Sequence, residues 1–292
     1  MKNTLWDASS GSDSYKWFCQ NSEAEALRNR LENRFSLYST FFDRDFASEL
    51  KGELFITRLW ELIVFEKMLN AGFKPVRKSK NGPDFLFKRG NSLAYIECSI
   101  PSSGNKPLMP PPAKTIEEIK IFDTPVDETQ LRYTGMIDSK IKQLKDFPKE
   151  STPLFLATTS LMLPLILRDH DTFIRSIYPV NNMVVHFGAV SNGNLPTHEY
   201  RDFVPKGKNV IEKYWAIHNP NRDTTIDGFI FLEPFEYDQI INHSYSSSRE
   251  GDKWAIHFAE RRASPFPSAD FEIWMPTRDG QSKVLQDRVL NK

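Results

Sequence analysis

Two carboxylates bracket a segment with a Gly-Asn pair at its centre, Asp84-Phe85-Leu86-Phe87-Lys88-Arg89-Gly90-Asn91-Ser92-Leu93-Ala94-Tyr95-Ile96-Glu97. Its pattern predicts a β-hairpin, and Gly90-Asn91 can take the positive φ values of a tight turn. A turn centred there pairs Arg89 with Ser92, Lys88 with Leu93, and finally Asp84 with Glu97. Directly opposed residues carry Cβ atoms roughly 5 Å apart, where like charges destabilise a sheet. Two acids so placed call for a cation between them, and a hard divalent ion with oxygen ligands fits. The alternative is an exposed hairpin end at which both acids are solvated.

A third acid, Glu61, stands in Leu54-Phe55-Ile56-Thr57-Arg58-Leu59-Trp60-Glu61-Leu62-Ile63-Val64-Phe65, a helical stretch apolar nearly all round. Glu61 shares a face with Leu54, Phe65 and Met68, and a buried carboxylate needs a partner. That partner is either a cation near the hairpin or an arginine such as Arg58 or Arg132. Lys74, Arg77, Lys78, Lys80, Lys88 and Arg89 surround the single acid Asp84 in the interval 74–89. Such a run reads as phosphate contact or as the lysines that guard an edge strand. Strand alternation turns Cys98 away from the acids into the core, as packing rather than a nucleophile. The histidines at 170, 186, 198, 218, 243 and 257 lack the short spacings of zinc ligands, and no role is assigned to them. Trp215 and Trp254 read as core, with base stacking as the alternative.

The elements that must hold these residues alternate helix and strand. Ser22-Glu23-Ala24-Glu25 has the form of a capping box before a helix from Ala26 to about Phe42. A second helix is expected from about Ser48 to Asn70, stopped by Ala71-Gly72. A strand over 73–79, the hairpin, a long polar loop from Pro101 to about Pro125, and a helix capped by Asp127 and running to about Phe147 follow. Pro153–Thr158 has the continuous apolar character of a buried strand, and strands are expected over 183–190, 225–232 and 253–258. The stretch after about Ser264 reads as peripheral.

At 292 residues, with 38 basic and 38 acidic side chains, overall charge argues neither for nor against a nucleic-acid partner. Two cysteines form no disulfide framework. The start lacks an apolar signal region and no run approaches a membrane span, so a soluble, cytoplasmic protein with no membrane partner is expected.

In the order helix, strand, hairpin, helix, strand, with these acids on it, the chain resembles the PD-(D/E)XK, or restriction-endonuclease-like, nuclease superfamily over roughly residues 48 to 160. Pro83-Asp84 matches the motif's first element, Ile96-Glu97-Cys98-Ser99 its second except at the lysine, and Arg58-Leu59-Trp60-Glu61-Leu62 the first core helix. The short motif is common by chance; the ordered elements are more specific. Asn81-Gly82-Pro83-Asp84-Phe85 and Pro101-Ser102-Ser103-Gly104 are also similar to segments of uncharacterised bacterial members. The resemblance implies an α/β fold: a mixed central sheet flanked by helices, with an N-terminal helical extension (1–47) and a C-terminal α+β elaboration (161–292) continuing the same domain. It implies Mg²⁺, with Mn²⁺ as a substitute, held by Asp84, Glu97 and the backbone carbonyl of Cys98, with Glu61 at a second ion or a metal-bound water. Ser99 stands where the family carries lysine and cannot supply positive charge. Lys140, on the helix with Arg132, Met136 and Gln143, is the first choice as the displaced catalytic lysine, and Lys106 is its competitor. An ordinary solvated face with Lys142 and Lys145 is the alternative for Lys140. Arg77, Lys78, Lys80, Lys106 and Arg132 are the expected nucleic-acid contacts. The implied activity is phosphodiester hydrolysis by an endonuclease, with DNA as the first substrate, and a homodimer is one of the open oligomeric states. The competing readings are a catalytically degenerate binding or regulatory protein and a nuclease acting on RNA.

Overall fold

The computed structural model describes residues 5–77, 82–102, 126–161, 163, 170–184, 197–206, 208–217, 221–233, 253–259, 265–268 and 272–274. In chain order the helices are α1 (Asp13–Gln20), α2 (Glu25–Tyr38), α3 (Phe46–Lys51), α4 (Phe55–Asn70), α5 (Val126–Leu144) and α6 (His170–Ile177). The strands are β1 (Lys74–Val76), β2 (Phe85–Arg89), β3 (Ser92–Cys98), β4 (Leu154–Thr159), β5 (Val180–Val184), β6 (Thr197–Tyr200), β7 (Phe203–Lys206), β8 (Asn209–Glu212), β9 (Gly228–Glu233), β10 (Lys253–Phe258) and β11 (Glu272–Trp274). Seven of them form one mixed sheet in the order β1-β2-β3-β4-β9-β10-β11, and β5-β6 and β7-β8 are separate two-stranded ribbons. The fold is mixed α/β, with helices against the seven-stranded sheet. No helix among the described residues is long and apolar enough to cross a membrane.

Side-chain alternation divides the sheet into two faces. Phe85, Phe87, Ala94, Ile96, Cys98, Phe155 and Ala157 join the core that contains α4. Leu156, Phe229 and Phe231 join a second core with Tyr133 and Ile137 of α5 and Phe173 of α6. The all-round apolar character expected of α4 has its cause in burial from every side: Leu59, Trp60, Ile63, Val64 and Phe65 are at most 1% exposed. Trp60 donates from Nε1 to the Ala157 carbonyl at 3.1 Å and stacks on Trp254. Burying an aromatic of this kind stabilises by about 2–3 kcal/mol. The N-terminal helices close the same core with Tyr15, Phe18, Leu27 and Leu31.

The hairpin register follows the expectation, from Arg89 opposite Ser92 to Phe85 opposite Ile96. Only Gly90 takes a positive φ, +58°, so the turn needs one left-handed residue and Asn91 is not it. β3 lies between antiparallel β2 and parallel β4, with Glu97 level with Leu156.

Several local expectations are corrected. Asn21, not Ser22, caps the N-terminal turn by accepting the Glu23 N–H at 3.0 Å. The predicted helix 48–70 is two helices, because Gly52 leaves the helical region after α3 and the Gly52 carbonyl restarts the ladder at Phe55. β1 is shorter than the strand expected over 73–79. Asp127 lies inside the first turn of α5, and its carboxylate is taken by Arg201. β5 spans 180–184, earlier than the strand expected from Met183. The stretch after Ser264 is not wholly peripheral: Phe266 is 3% exposed against Phe73, Phe155 and Phe258, and β11 extends the sheet.

Candidate active site

Gly82-Pro83 delivers the chain into β2 at Asp84. A Cβ on Gly82 would lie 2.5 Å from the Phe147 ring, so no other residue passes here without displacing the end of the α5 connection. Regular pairing of the hairpin ends at Phe85 and Ile96, one step short of the two acids. In place of that step, the Asp84 carboxylate accepts the backbone N–H of Cys98 at 2.7 Å. Alternation puts Asp84, Glu97 and Ser99 on the α5 face of the sheet and Cys98 in the α4 core, 3% exposed.

Glu97 is 2% exposed and meets Lys140 of α5, whose Nζ donates to Oε1 at 2.5 Å. Burial, with the negative charge of Asp84 added, holds the Glu97 carboxyl up at about 7 in spite of the lysine and of the Asp84 backbone N–H. Burial works to lower Lys140, but the attraction and hydrogen bond of Glu97 carry the ammonium above its ordinary value. Glu61 lies in the second turn of α4, 4% exposed, and both its oxygens accept from Nη1 of Arg58, at 2.7 and 2.8 Å. Burial first, and Asp84 second, push Glu61 to about 8. Arg58 also reaches Glu49 and stays firmly charged, since these two acids outweigh its burial. Burial drives the Cys98 thiol upward, away from nucleophilic use.

These residues converge. A cavity of about 310 Å³ is lined by Glu61, Asp84, Glu97, Cys98, Ser99 and Lys140, with Gln143 of α5 and Arg58 at its wall. Arg132, expected as a phosphate clamp, is half-buried on α5 and does not line this cavity. Arg77 is exposed and lines the neighbouring hollow, which also includes Asp84. Lys78, Lys80 and Lys106 lie outside the described residues. Asp43 and Thr57 also line the cavity and were not foreseen. The one sequence signal for Asp43 is the charged Asp43-Arg44-Asp45 between the aromatics Phe42 and Phe46.

No family model, curated protein or solved structure matches the chain.

Among the described residues no three His, Cys, Asp or Glu side chains form a cage for a metal ion. A Mg²⁺ site does not require one: the ion keeps several waters and is commonly held by one or two carboxylates together with substrate phosphates. Asp84 and Glu97 supply hard oxygen donors on one face, and Asp84 raises the carboxyl of Glu97 through like charge, which a cation would relieve. The donor set fits a divalent ion at these two acids. It fits less well at Glu61, which Arg58 already holds through both oxygens.

Proposed function

We propose that the protein is a metal-dependent nuclease that hydrolyses phosphodiester bonds, with DNA as the expected substrate, on a restriction-endonuclease-like core. The observation that carries this reading is the cavity in which Asp84 and Glu97 share one sheet face with the Lys140 ammonium against Glu97. The order of elements supports it as well: α4, then antiparallel β1-β2-β3, then α5, then β4 parallel to β3.

Asp84, Glu97 and the Cys98 carbonyl would hold Mg²⁺ or Mn²⁺. A divalent ion bound there supplies an acidified water and offsets the charge that develops on the phosphate. Lys140 brings to the acid face the positive charge that Ser99 cannot, and it orients the attacking oxygen and steadies the pentacoordinate phosphate. Glu61 and Arg58 act as a buried pair that fixes the α4 wall of the cavity. The test is nicking of plasmid and single-stranded circular DNA, with RNA in competition, in Mg²⁺ or Mn²⁺ and in chelator. Cleavage is expected to need the metal and to vanish in Asp84→Ala and Glu97→Ala; cleavage that persists in both variants removes the site.

Ser99 favours one second reading, a nucleic-acid-binding or regulatory protein on the same fold that no longer cuts. It predicts binding without cleavage in any metal, and little or no heat of Mn²⁺ binding by calorimetry.

A further inference from the structure

A second hollow, of about 450 Å³, opens beside the acid cavity and shares Asp43 and Asp84 with it. One wall is the end of β1 with Arg77; the other is the segment after α2, with Phe41, Phe42 and Arg44. Arg44 and Arg77 are exposed, and neither forms an ion pair among the described residues. By contrast, Arg30, Arg58, Lys140, Lys149 and Arg201 are all committed to acids. Phe42 is packed among Phe35, Phe46, Phe65 and Phe85 and serves as floor, while Phe41 is half-buried against Tyr38.

We propose that this hollow is the binding path for a single nucleic-acid strand leaving the acid site, with a flanking phosphate held between Arg44 and Arg77 and a base or sugar against Phe41. The inference rests on the nuclease reading and adds to it the form of the substrate. The volume lies in the range of small-ligand pockets, roughly 300–1,000 Å³, which suits about one nucleotide unit. Unpaired guanidiniums beside an aromatic face are what single-strand binders combine, charge along the backbone and a ring for the base. The acids and the arginines are also sorted along the path. Asp84 and Asp43 line both cavities, whereas Arg44 and Arg77 line the second hollow alone. The N-terminal segment thereby becomes part of the substrate surface.

The experiment measures anisotropy of a short fluorescein-labelled oligothymidylate on the full chain, with Ca²⁺ in place of Mg²⁺, across a salt series, for wild type, R44A/R77A and Phe41→Ala. A blunt duplex of the same length is measured alongside. Both arginines are exposed, so an unchanged melting temperature verifies the double variant's fold. The affinity of R44A/R77A should fall several-fold, and its log K against log salt slope should shrink by roughly 0.7, the contribution of the one single-strand phosphate that the two arginines no longer neutralise. Phe41→Ala should weaken binding with its slope unchanged, and wild type should prefer the single strand to the duplex. Unchanged affinity and slope in R44A/R77A, or preference for the duplex, overturns the path; the nuclease reading stands if wild type still cuts DNA in an Asp84-dependent way. A wild-type protein that binds neither polymer overturns both.

Discussion

Two of the buried polar clusters among the described residues are built on opposite plans. At the β2–β3 end, Glu61, Asp84 and Glu97 are crowded together against Arg58 and Lys140 beside a cavity. Around α6 and β10, His170 Nε2 lies 2.9 Å from His257 Nε2, and the Tyr178 hydroxyl lies 3.0 Å from His257 Nδ1. There Lys213, 1% exposed, donates to the carbonyls of Arg175 and Tyr178 at the end of α6. One neutral tautomer serves the second cluster: the tyrosine donates to His257 Nδ1, and His257 Nε2–H donates to His170. His170 also lies flat on Phe231. The second cluster ties α6 to β10 through His170 and His257 and holds the end of α6 on Lys213. The first sets three acids against two basic side chains beside a cavity, a surplus of negative charge that the second cluster does not have.

The largest expected effect lies in catalysis. Asp84→Ala or Glu97→Ala should lower DNA cleavage at least ~100-fold, about 2.7 kcal/mol of barrier, while His257→Phe leaves cleavage within a few-fold in a quantitative nicking assay. The reverse pattern would exchange the roles given to the two clusters. Stability should rank them the other way. Lys213→Met strands two helix-end carbonyls and should cost about 2–4 kcal/mol in urea unfolding.

The two clusters should also answer pH with opposite signs. Glu97 and Glu61 titrate at about 7 and about 8 in the fold, against 4.5 for a free glutamate. Between about 4.5 and 8 the native state holds protons that the unfolded chain has lost, so these acids lower stability as pH rises, by on the order of 1–2 kcal/mol. Burial, first, and Arg201 lower Lys213 from 10.5 to about 7. From about pH 7 to 10.5 the unfolded chain holds the proton that the native state has released, so this group adds stability as pH rises. Melting temperatures across pH for wild type, E61Q/E97Q and Lys213→Met check both slopes: the first variant should flatten the acid-side decline and the second the alkaline rise. The smallest effect on stability is that of Lys140→Met, about 1 kcal/mol in urea unfolding near pH 6, where Glu97 is largely protonated, and larger near pH 9, where losing the lysine leaves it ionised or forces it to take up a proton.

What could be read in advance was local. Gly90 sets the turn, and with the turn the period-2 alternation places Asp84, Glu97 and Ser99 on one face without reference to anything distant. The apolar run around Glu61 likewise announces its own burial. The break at Gly52 was hidden because the residues on either side of it both favour helix. The histidine pair was invisible because its members are far apart in the chain, and no spacing rule spans that interval. Asp43 and Arg44 could not be tied to the site, because their place depends on how the N-terminal helices pack on α4.

By itself the amino-acid sequence determined the acids, their common face and the lack of a lysine at Ser99, since a strand's period and a turn's φ are properties of a few consecutive residues. Only the tertiary structure decided which cation meets which acid. Lys140 goes to Glu97 because the packing of α5 against the sheet sets that distance, and of the two arginines open to Glu61 it is Arg58, three residues away on α4, that takes it. A side chain on one element cannot carry in its own neighbourhood the position of a partner on another, and Lys140 and Glu97 are such partners.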